Sequence, residues 1–144
     1  MSQPRLIESV LQDLNLLQDA KTQDTPSVGI LYPYCDGIPR QDKWHYHSVI
    51  GELNYTAQNT HPDISFAVHQ CARYSTQPSA LHELVVKRIS RYLLATKDKG
   101  LLLHPTNKFK LDMYVDANFA GIWHREYSEL RDFTLSRTGY IITY

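Results

Sequence analysis

The sequence has few of the residues that cross-link a fold or anchor it in a membrane. It contains two cysteines, Cys35 and Cys71, with no CxxC pair. This spacing excludes a disulfide framework and a zinc knuckle, and it fits a reducing compartment. No apolar run approaches the roughly 18 residues of a membrane span, and the N-terminus lacks a signal-peptide pattern. We therefore expect an intracellular protein, cytoplasmic or nuclear, that is not secreted and does not interact with membranes.

Common catalytic motifs are also missing. The chain has no GxxxxGK phosphate loop, and no Ser/His/Asp arrangement stands out. Its seven histidines show no metal-binding spacing. His45 and His47, for example, are two residues apart and would point to different sides of a helix. The motifs alone therefore indicate no particular reaction.

Charge is balanced over the whole chain but not along it. Lys and Arg together number 15, as do Asp and Glu, so the formal net charge is 0. Residues 79–110 nevertheless hold seven basic and two acidic residues, a net charge of +5. Such a block is either the footprint of a polyanionic partner or the solvated face of a helix. Charge alone does not decide between these two interpretations.

Hydrophobic periodicity predicts helices over the first two thirds of the chain. The predicted helices are 4–18, 42–58 with Asp42 as a plausible cap, a third beginning at Thr60, and 79–96. The apolar stripe of the fourth helix consists of Leu81, Leu84, Val85, Ile89, Tyr92 and Leu93. Residues 19–41, rich in proline and glycine, predict a linker with at most a short strand at 28–32.

One glycine interrupts the second predicted helix. Gly51 lies in its middle and costs about 1 kcal/mol there relative to alanine. Either another group approaches this backbone closely, or the helix is simply suboptimal.

The chain after Gly100 has the periodicity of β-strands. In LDMYVDANFAG, residues 111–121, apolar and polar side chains alternate before the run ends on Asp116 and a small-residue turn. The predicted strands are 101–104, 110–116 and 139–144, with a hairpin-like turn at 105–107. Asp116 is either an ordinary turn former or a metal-binding carboxylate at the tip of a sheet. We expect an α+β fold, with helices first and strands after them.

Several stretches resemble the Pol polyproteins of copia-type (Ty1/copia) retrotransposons, in family order and over nearly the whole chain. They are QPRLIESVLQDLNL, YHSVIGELNYTAQNTHPDISFAVHQCARYST, HELVVKRISRYLLATKDKGLLL, and YVDANFAG with SRTGYIITY. The resemblance implies the C-terminal part of a reverse transcriptase, an RNA-directed DNA polymerase, followed by the start of an RNase H domain. The implied regions are an N-terminal helix and linker at 1–41, a thumb/connection-like helical region at 42–98, and an incomplete RNase H-like β region at 99–144.

The resemblance also implies a surface for nucleic acid. VIGELNY looks like the family's thumb helix, which lies along the minor groove of the template–primer duplex. Gly51 would then let the backbone approach the sugar edge, and Tyr55 would pack against sugars. The alternative is that Gly51 permits tight helix packing and Tyr55 belongs to the core.

The basic residues of the fourth helix have two interpretations as well. Lys87, Arg88 and Arg91 would neutralise backbone phosphates, which makes binding sensitive to salt. The alternative is that they only keep the helix face soluble.

Asp116 matches the first acid of the family's RNase H motif, which binds Mg²⁺. Two-metal hydrolysis needs several carboxylates converging on two ions, and one carboxylate cannot hold that pair. The family's other RNase H acids and its YxDD polymerase aspartates have no counterpart in this sequence. The nearby acids Glu126, Glu129 and Asp132 have no spacing that suggests convergence. We therefore expect Asp116 to be vestigial and the chain to bind no Mg²⁺ stably.

The sequence departs from the family pattern at four positions. His47 and His61 stand where relatives have Arg, Asn118 where they have Asp, and Phe119 where Trp is frequent. Each histidine removes a permanent charge, which would weaken a phosphate contact or an ion pair.

The main functional expectation is a Pol fragment that does not polymerise or cleave by itself and that binds RNA–DNA hybrid or duplex DNA weakly. One alternative is a co-opted, non-catalytic protein-interaction module. The other is a metal-dependent nuclease completed in trans. Other Pol or Gag fragments are further candidate partners, as is a second copy of the chain through exposed strand edges. In the parent family, such proteins are located in a virus-like particle.

Overall fold

The structure, a computed structural model, forms two compact units, Met1–Leu102 and Leu103–Tyr144. The residues it describes are 2–18, 20–27, 29–32, 38–41, 43–102, 110–118, 123–129 and 137–143. The first unit is helical and the second contains the strands, so the predicted α+β class is confirmed. The predicted division into 1–41, 42–98 and 99–144 stays a prediction.

The helical unit is built from four α-helices and one short 3-10 helix among its described residues. They are α1 (Pro4–Asp13), α2 (Tyr46–Asn59), the 3-10 helix Pro62–Ile64, α3 (Ser65–Ala72) and α4 (Ala80–Thr96). Each of α1 and α3 packs against both α2 and α4. The fully buried side chains come from all four helices and include Ile7, Leu11, Leu53, Val68, Ile89 and Leu93. Burial of these apolar faces is the main stabilising contribution to this unit.

Helix α1 ends five residues before the predicted limit. It stops at Asp13, and Asn15 adopts a left-handed backbone with φ of 54°, which asparagine tolerates better than most residues. Leu14 and Leu16 remain buried beyond the helix end, whereas Leu17 is half exposed. Helical periodicity therefore overestimated the helix, because the turn buries its leucines without continuing the helix.

Helix α4 begins where it was predicted to begin. Ser79 forms a capping box with His82, whose Nδ1 accepts a hydrogen bond from the Ser79 backbone N–H at 2.9 Å. The predicted apolar stripe is partly wrong, however. Leu81 and Leu84 are exposed, and the helix buries His82, Glu83 and Val86 in their place.

The segment 29–32 is not the strand that was predicted; Val28 lies outside the described residues. It runs across α3 instead, with Leu31 buried. The backbone N–H of Leu31 donates to Gln70 Oε1 at 3.4 Å, and its carbonyl accepts from the Tyr74 hydroxyl at 3.0 Å. Side chains of α3 and of the turn after it thus satisfy the backbone groups that a sheet would otherwise have paired.

The second unit contains a two-stranded antiparallel sheet of β1 (Asp112–Asn118) and β2 (Arg137–Thr143). In its register Val115 faces Tyr140 and Asp116 faces Gly139. The predicted hairpin partner of β1 at 101–104 is not seen: Leu101 and Leu102 are not in a strand, and the remaining two residues and the 105–107 turn lie outside the described residues. The last strand was predicted correctly, although it begins two residues earlier.

Both faces of this sheet are exposed among the described residues. One face carries Met113 and Val115 opposite Ile142 and Tyr140, all more than half exposed. All the buried residues that the structure describes lie in the helical unit. A two-stranded sheet without a covered face gains little from burial.

As for membranes, no helix in the described part of the chain is long and apolar enough to span one.

Candidate nucleic-acid interface

Gly51 and Tyr55 lie one turn apart on the solvent side of α2. A Cβ built on Gly51 would meet no described atom within 4 Å, so tight helix packing does not explain this glycine. The Tyr55 side chain is 56% exposed, so it is not a core residue. Among the described residues, neither tight packing at Gly51 nor a core position for Tyr55 is therefore supported. The alternative of a simply suboptimal helix stays open, and the nucleic-acid role of the two residues stays a prediction.

The exposed face of α2 is polar and carries no carboxylate, as this helix is described throughout. Its exposed residues are His47, Ser48, Gly51, Asn54, Tyr55 and Gln58. Glu52 is the acid of this helix; it is partly buried and lies at the edge of this face, one turn from Ser48 and Tyr55. Burial, followed by the charge of Asp13, raises the pKa of Glu52. A polyanion approaching this face would therefore meet neutral hydrogen-bonding groups and one aromatic ring.

The three basic residues predicted on α4 do not form one strip. Lys87 and Arg91 are one turn apart and line a common cleft, which also includes Lys43 and Trp44. Arg88 projects elsewhere, since its Nη2 donates to Thr25 Oγ1 at 2.8 Å. Lys87 and Arg91 are therefore brought together in one cleft. Arg88 is separated from them, because it is held by the segment that precedes α2.

A cluster around Arg40 was missed by sequence reasoning. The Arg40 guanidinium forms an ion pair with the buried Glu83 and lies over the Trp44 ring, 4.6 Å from its centroid. It also donates to the Trp44 carbonyl, and the Trp44 and Tyr46 rings stack at 5.5 Å. These contacts fix the residues before α2 on the first turn of α4. Periodicity could not reveal them, because Arg40 and Glu83 are far apart in the chain and neither repeats in a pattern.

Beneath this cluster, Tyr46 connects α2 to α3. Its hydroxyl donates to the carbonyl of Cys71 at 3.1 Å in a buried position. Burial raises the pKa of the Tyr46 hydroxyl, and it raises the pKa of the Cys71 thiol to about 12. Cys71 is therefore an unreactive core residue and not a catalytic thiol.

Asp116 occupies an exposed position on β1, opposite Gly139. Among the described residues no group of three or more His, Cys, Asp or Glu side chains converges as a metal site. Glu126 lies in the 3-10 helix Arg125–Tyr127 and Glu129 just after it, both exposed; Asp132 and Phe119 lie outside the described residues. The described acids of this unit thus supply no shared set of ligands.

The two histidines at the departures from the family pattern have different surroundings. His47 is exposed on α2, whereas His61 is buried, with Nδ1 3.5 Å from Asp63 Oδ1. Asp63 also accepts a hydrogen bond from the Tyr92 hydroxyl, which raises the pKa of Tyr92 to about 12. Asp63, the acidic neighbour of His61, therefore connects the 3-10 helix before α3 to α4.

Comparison with known proteins finds related sequences. The Pol polyprotein of transposon RE1 from Arabidopsis thaliana is 33% identical over 99% of the chain, and that of transposon RE2 from the same plant is 34% identical over 84%. A putative transposon Ty5-1 protein of Saccharomyces cerevisiae is 32% identical over 80% of the chain. This chain is homologous to part of copia-type retrotransposon Pol polyproteins.

The homology to Pol polyproteins has a defined extent. The chain spans only 9% of the RE1 protein, 8% of RE2 and 36% of the Ty5-1 protein. Since the RE1 match covers 99% of the chain, it includes both the helical and the strand units. No family model matches the chain, and no solved structure is significantly similar to it. The resemblance inferred from the sequence motifs is thus confirmed at the level of the Pol polyprotein.

Proposed function

We propose that this Pol segment is the thumb and connection of a reverse transcriptase followed by the first strands of an RNase H domain. On this proposal its remaining activity is to bind an A-like duplex, RNA–DNA hybrid in particular, through the exposed face of α2. The observation that carries the proposal is the open space over Gly51 beside an exposed Tyr55. A glycine inside a helix lowers its stability relative to alanine. A use for the missing side chain would explain why glycine stands at this position.

The chemistry of the α2 face suits a minor groove. A-form duplexes display 2′-hydroxyls and base edges in a wide, shallow minor groove, which proteins read mainly by shape. Because Gly51 has no side chain, the helix backbone at this position can lie closer to that surface than it could with any other residue there. The hydroxyl and amide groups of Ser48, Asn54 and Gln58 are exposed around it and can exchange hydrogen bonds with sugars.

Phosphate contacts would come from α4. Lys87 and Arg91 share one cleft, and Arg88 lies apart on Thr25. If two phosphates are neutralised, the slope of log K against log salt is about −1.8 at roughly −0.9 per phosphate. Binding is therefore expected to be weak and to decrease moderately as salt increases.

Catalysis is not part of the proposal. Hydrolysis by two metal ions needs several carboxylates around a pair of ions about 3.5–4 Å apart. Among the described residues, Asp116 has no converging acidic partners, so they do not fit the Mg²⁺ pair of the parent family. We therefore expect neither cleavage nor polymerisation from the isolated chain.

The test is binding of a fluorescently labelled RNA–DNA hybrid, measured by anisotropy at low salt and with Mg²⁺ present. Gly51→Leu should weaken binding about tenfold, a loss of about 1.4 kcal/mol, because the new side chain would occupy the space that the duplex needs. The helix should remain folded, since a Cβ at this position meets no described atom within 4 Å. Ala72→Leu is the matched control, because it adds bulk at an exposed position on α3.

Two results would contradict the proposal. Equal affinity of the wild-type chain and folded Gly51→Leu for the hybrid would remove the α2 face from the interface. Cleavage of the hybrid in Mg²⁺ that Asp116→Asn abolishes would show a nuclease instead.

A further inference from the structure

The cleft that contains Lys87 and Arg91 has the size of a small-molecule site. It has a volume of about 490 Å³, within the range of roughly 300–1,000 Å³ that is usual for ligand pockets. Three separate parts of the helical unit form it: the end of α1 with the turn after it, the residues preceding α2, and the middle of α4. Its lining residues are Asp13, Leu14, Asn15, Leu16, Lys43, Trp44, Lys87 and Arg91.

The charge of this cleft favours an anion. Three basic side chains line it, and Asp13 is the one acid among the lining residues that the structure describes. An arginine presents a planar set of N–H donors that matches two phosphate oxygens, and a lysine adds a compact charge. Arg91 lies on α4 and Lys43 in the segment before α2, so two separate parts of the chain bring a cationic group to this cleft.

The remaining lining of the cleft is mostly apolar, with Leu14, Leu16 and Trp44 beside Asn15. Leu14 and Leu16 are buried, and the Trp44 indole is held by the guanidinium of Arg40 and the ring of Tyr46. An aromatic and aliphatic wall beside a cationic rim matches a ligand with one flat apolar part and one anionic part. A nucleotide has this construction, with its base and its phosphate.

We propose that this cleft binds a single nucleotide, with the phosphate on Arg91 and Lys43 and the base against Trp44. This rests on the proposed nucleic-acid binding and deepens it, because it assigns the phosphate-binding part to a pocket and not to a flat helix face. A free mononucleotide and the terminal nucleotide of a strand present the same chemistry. The cleft therefore accepts a 5′-mononucleotide in the absence of any duplex.

The experiment uses the full chain carrying Trp123→Phe, which leaves Trp44 as its remaining tryptophan. Titration with dAMP should change the emission of Trp44 and show saturable binding by equilibrium dialysis. Deoxyadenosine, which lacks the phosphate, should bind about tenfold more weakly, since a charge-assisted hydrogen bond is lost. Arg91→Ala and, separately, Lys43→Ala should each weaken dAMP binding about as much. Lys43 is exposed and precedes α2, so its replacement leaves the core intact.

Arg5→Ala is the matched control. Arg5 is exposed near the start of α1, about 12 Å along the helix axis from Asp13 at roughly 1.5 Å per residue. Its removal should leave dAMP binding unchanged. Equal binding of dAMP and deoxyadenosine, or no dAMP binding by either method, would overturn the inference.

The hybrid assay separates this inference from the proposed function. Phosphate-dependent dAMP binding without any hybrid binding would support the cleft and remove the duplex proposal. Hybrid binding that depends on Gly51, with no response to dAMP, would overturn the cleft alone.

Discussion

At the scale of single residues, Gly51 and Gly29 have similarly open surroundings but different backbones. A Cβ would meet no described atom within 4 Å at either position. Gly51 is helical, whereas Gly29 has φ of 148°, a region that side chains disfavour. Replacing each glycine by alanine therefore tests helix propensity at Gly51 and backbone strain at Gly29, without new contacts to described atoms at either position.

We expect Gly51→Ala to raise the free energy of unfolding by about 1 kcal/mol, because alanine is the better helix former. Gly29→Ala should lower it by about 1 kcal/mol or more, because alanine is strained at positive φ. Urea unfolding followed by circular dichroism measures both changes. A stabilised Gly51→Ala would also show that this glycine is retained at a cost to stability, as expected of a binding position. A loss of stability there would mean that the backbone of α2 at Gly51 is not an ordinary helix.

At the scale of elements, α4 shows what the sequence reveals and what it conceals. Ser79 and the helical spacing were enough to predict where the helix starts. They did not predict its buried side, because Glu83 is held by Arg40, 43 residues away, and His82 caps its own helix. A local pattern cannot contain such a partner. Gly51 could be predicted as a candidate binding position, because a glycine in the middle of a helix breaks a local rule. The cleft that joins Asp13, Lys43 and Arg91 could not be predicted, because these residues are far apart in the chain.

The orientation of α4 can be tested with two substitutions one turn or less apart. Leu84 is 59% exposed and Val86 is fully buried. Leu84→Lys should change the free energy of unfolding by less than about 0.5 kcal/mol, as surface substitutions usually do. Val86→Ala should reduce it by about 2 kcal/mol through lost burial and a residual cavity. Chemical denaturation of both variants gives the comparison, and the reverse order would restore the orientation predicted from the leucine spacing.

At the scale of the whole molecule, the two units differ in what stabilises them. The helical unit has a continuous apolar core that runs from Ile7 to Leu93. In the strand unit, none of the described residues is buried, and the apolar side chains of its sheet face outward. Backbone hydrogen bonds in such a sheet open without exposing a core, so local opening there costs little free energy.

Native-state hydrogen exchange should therefore divide the chain in two. Amides in the middle of α2 and α4, around the fully buried Leu53 and Ile89, should exchange only through global unfolding. Amides of β1 and β2 should exchange by local opening and be far less protected. The measurement is best made at several protein concentrations, because exposed apolar strands are also candidate surfaces for a second copy. Strand protection equal to that of the helices at low concentration would contradict the expectation, whereas protection that appears only as concentration rises would identify self-association as the element that covers the sheet.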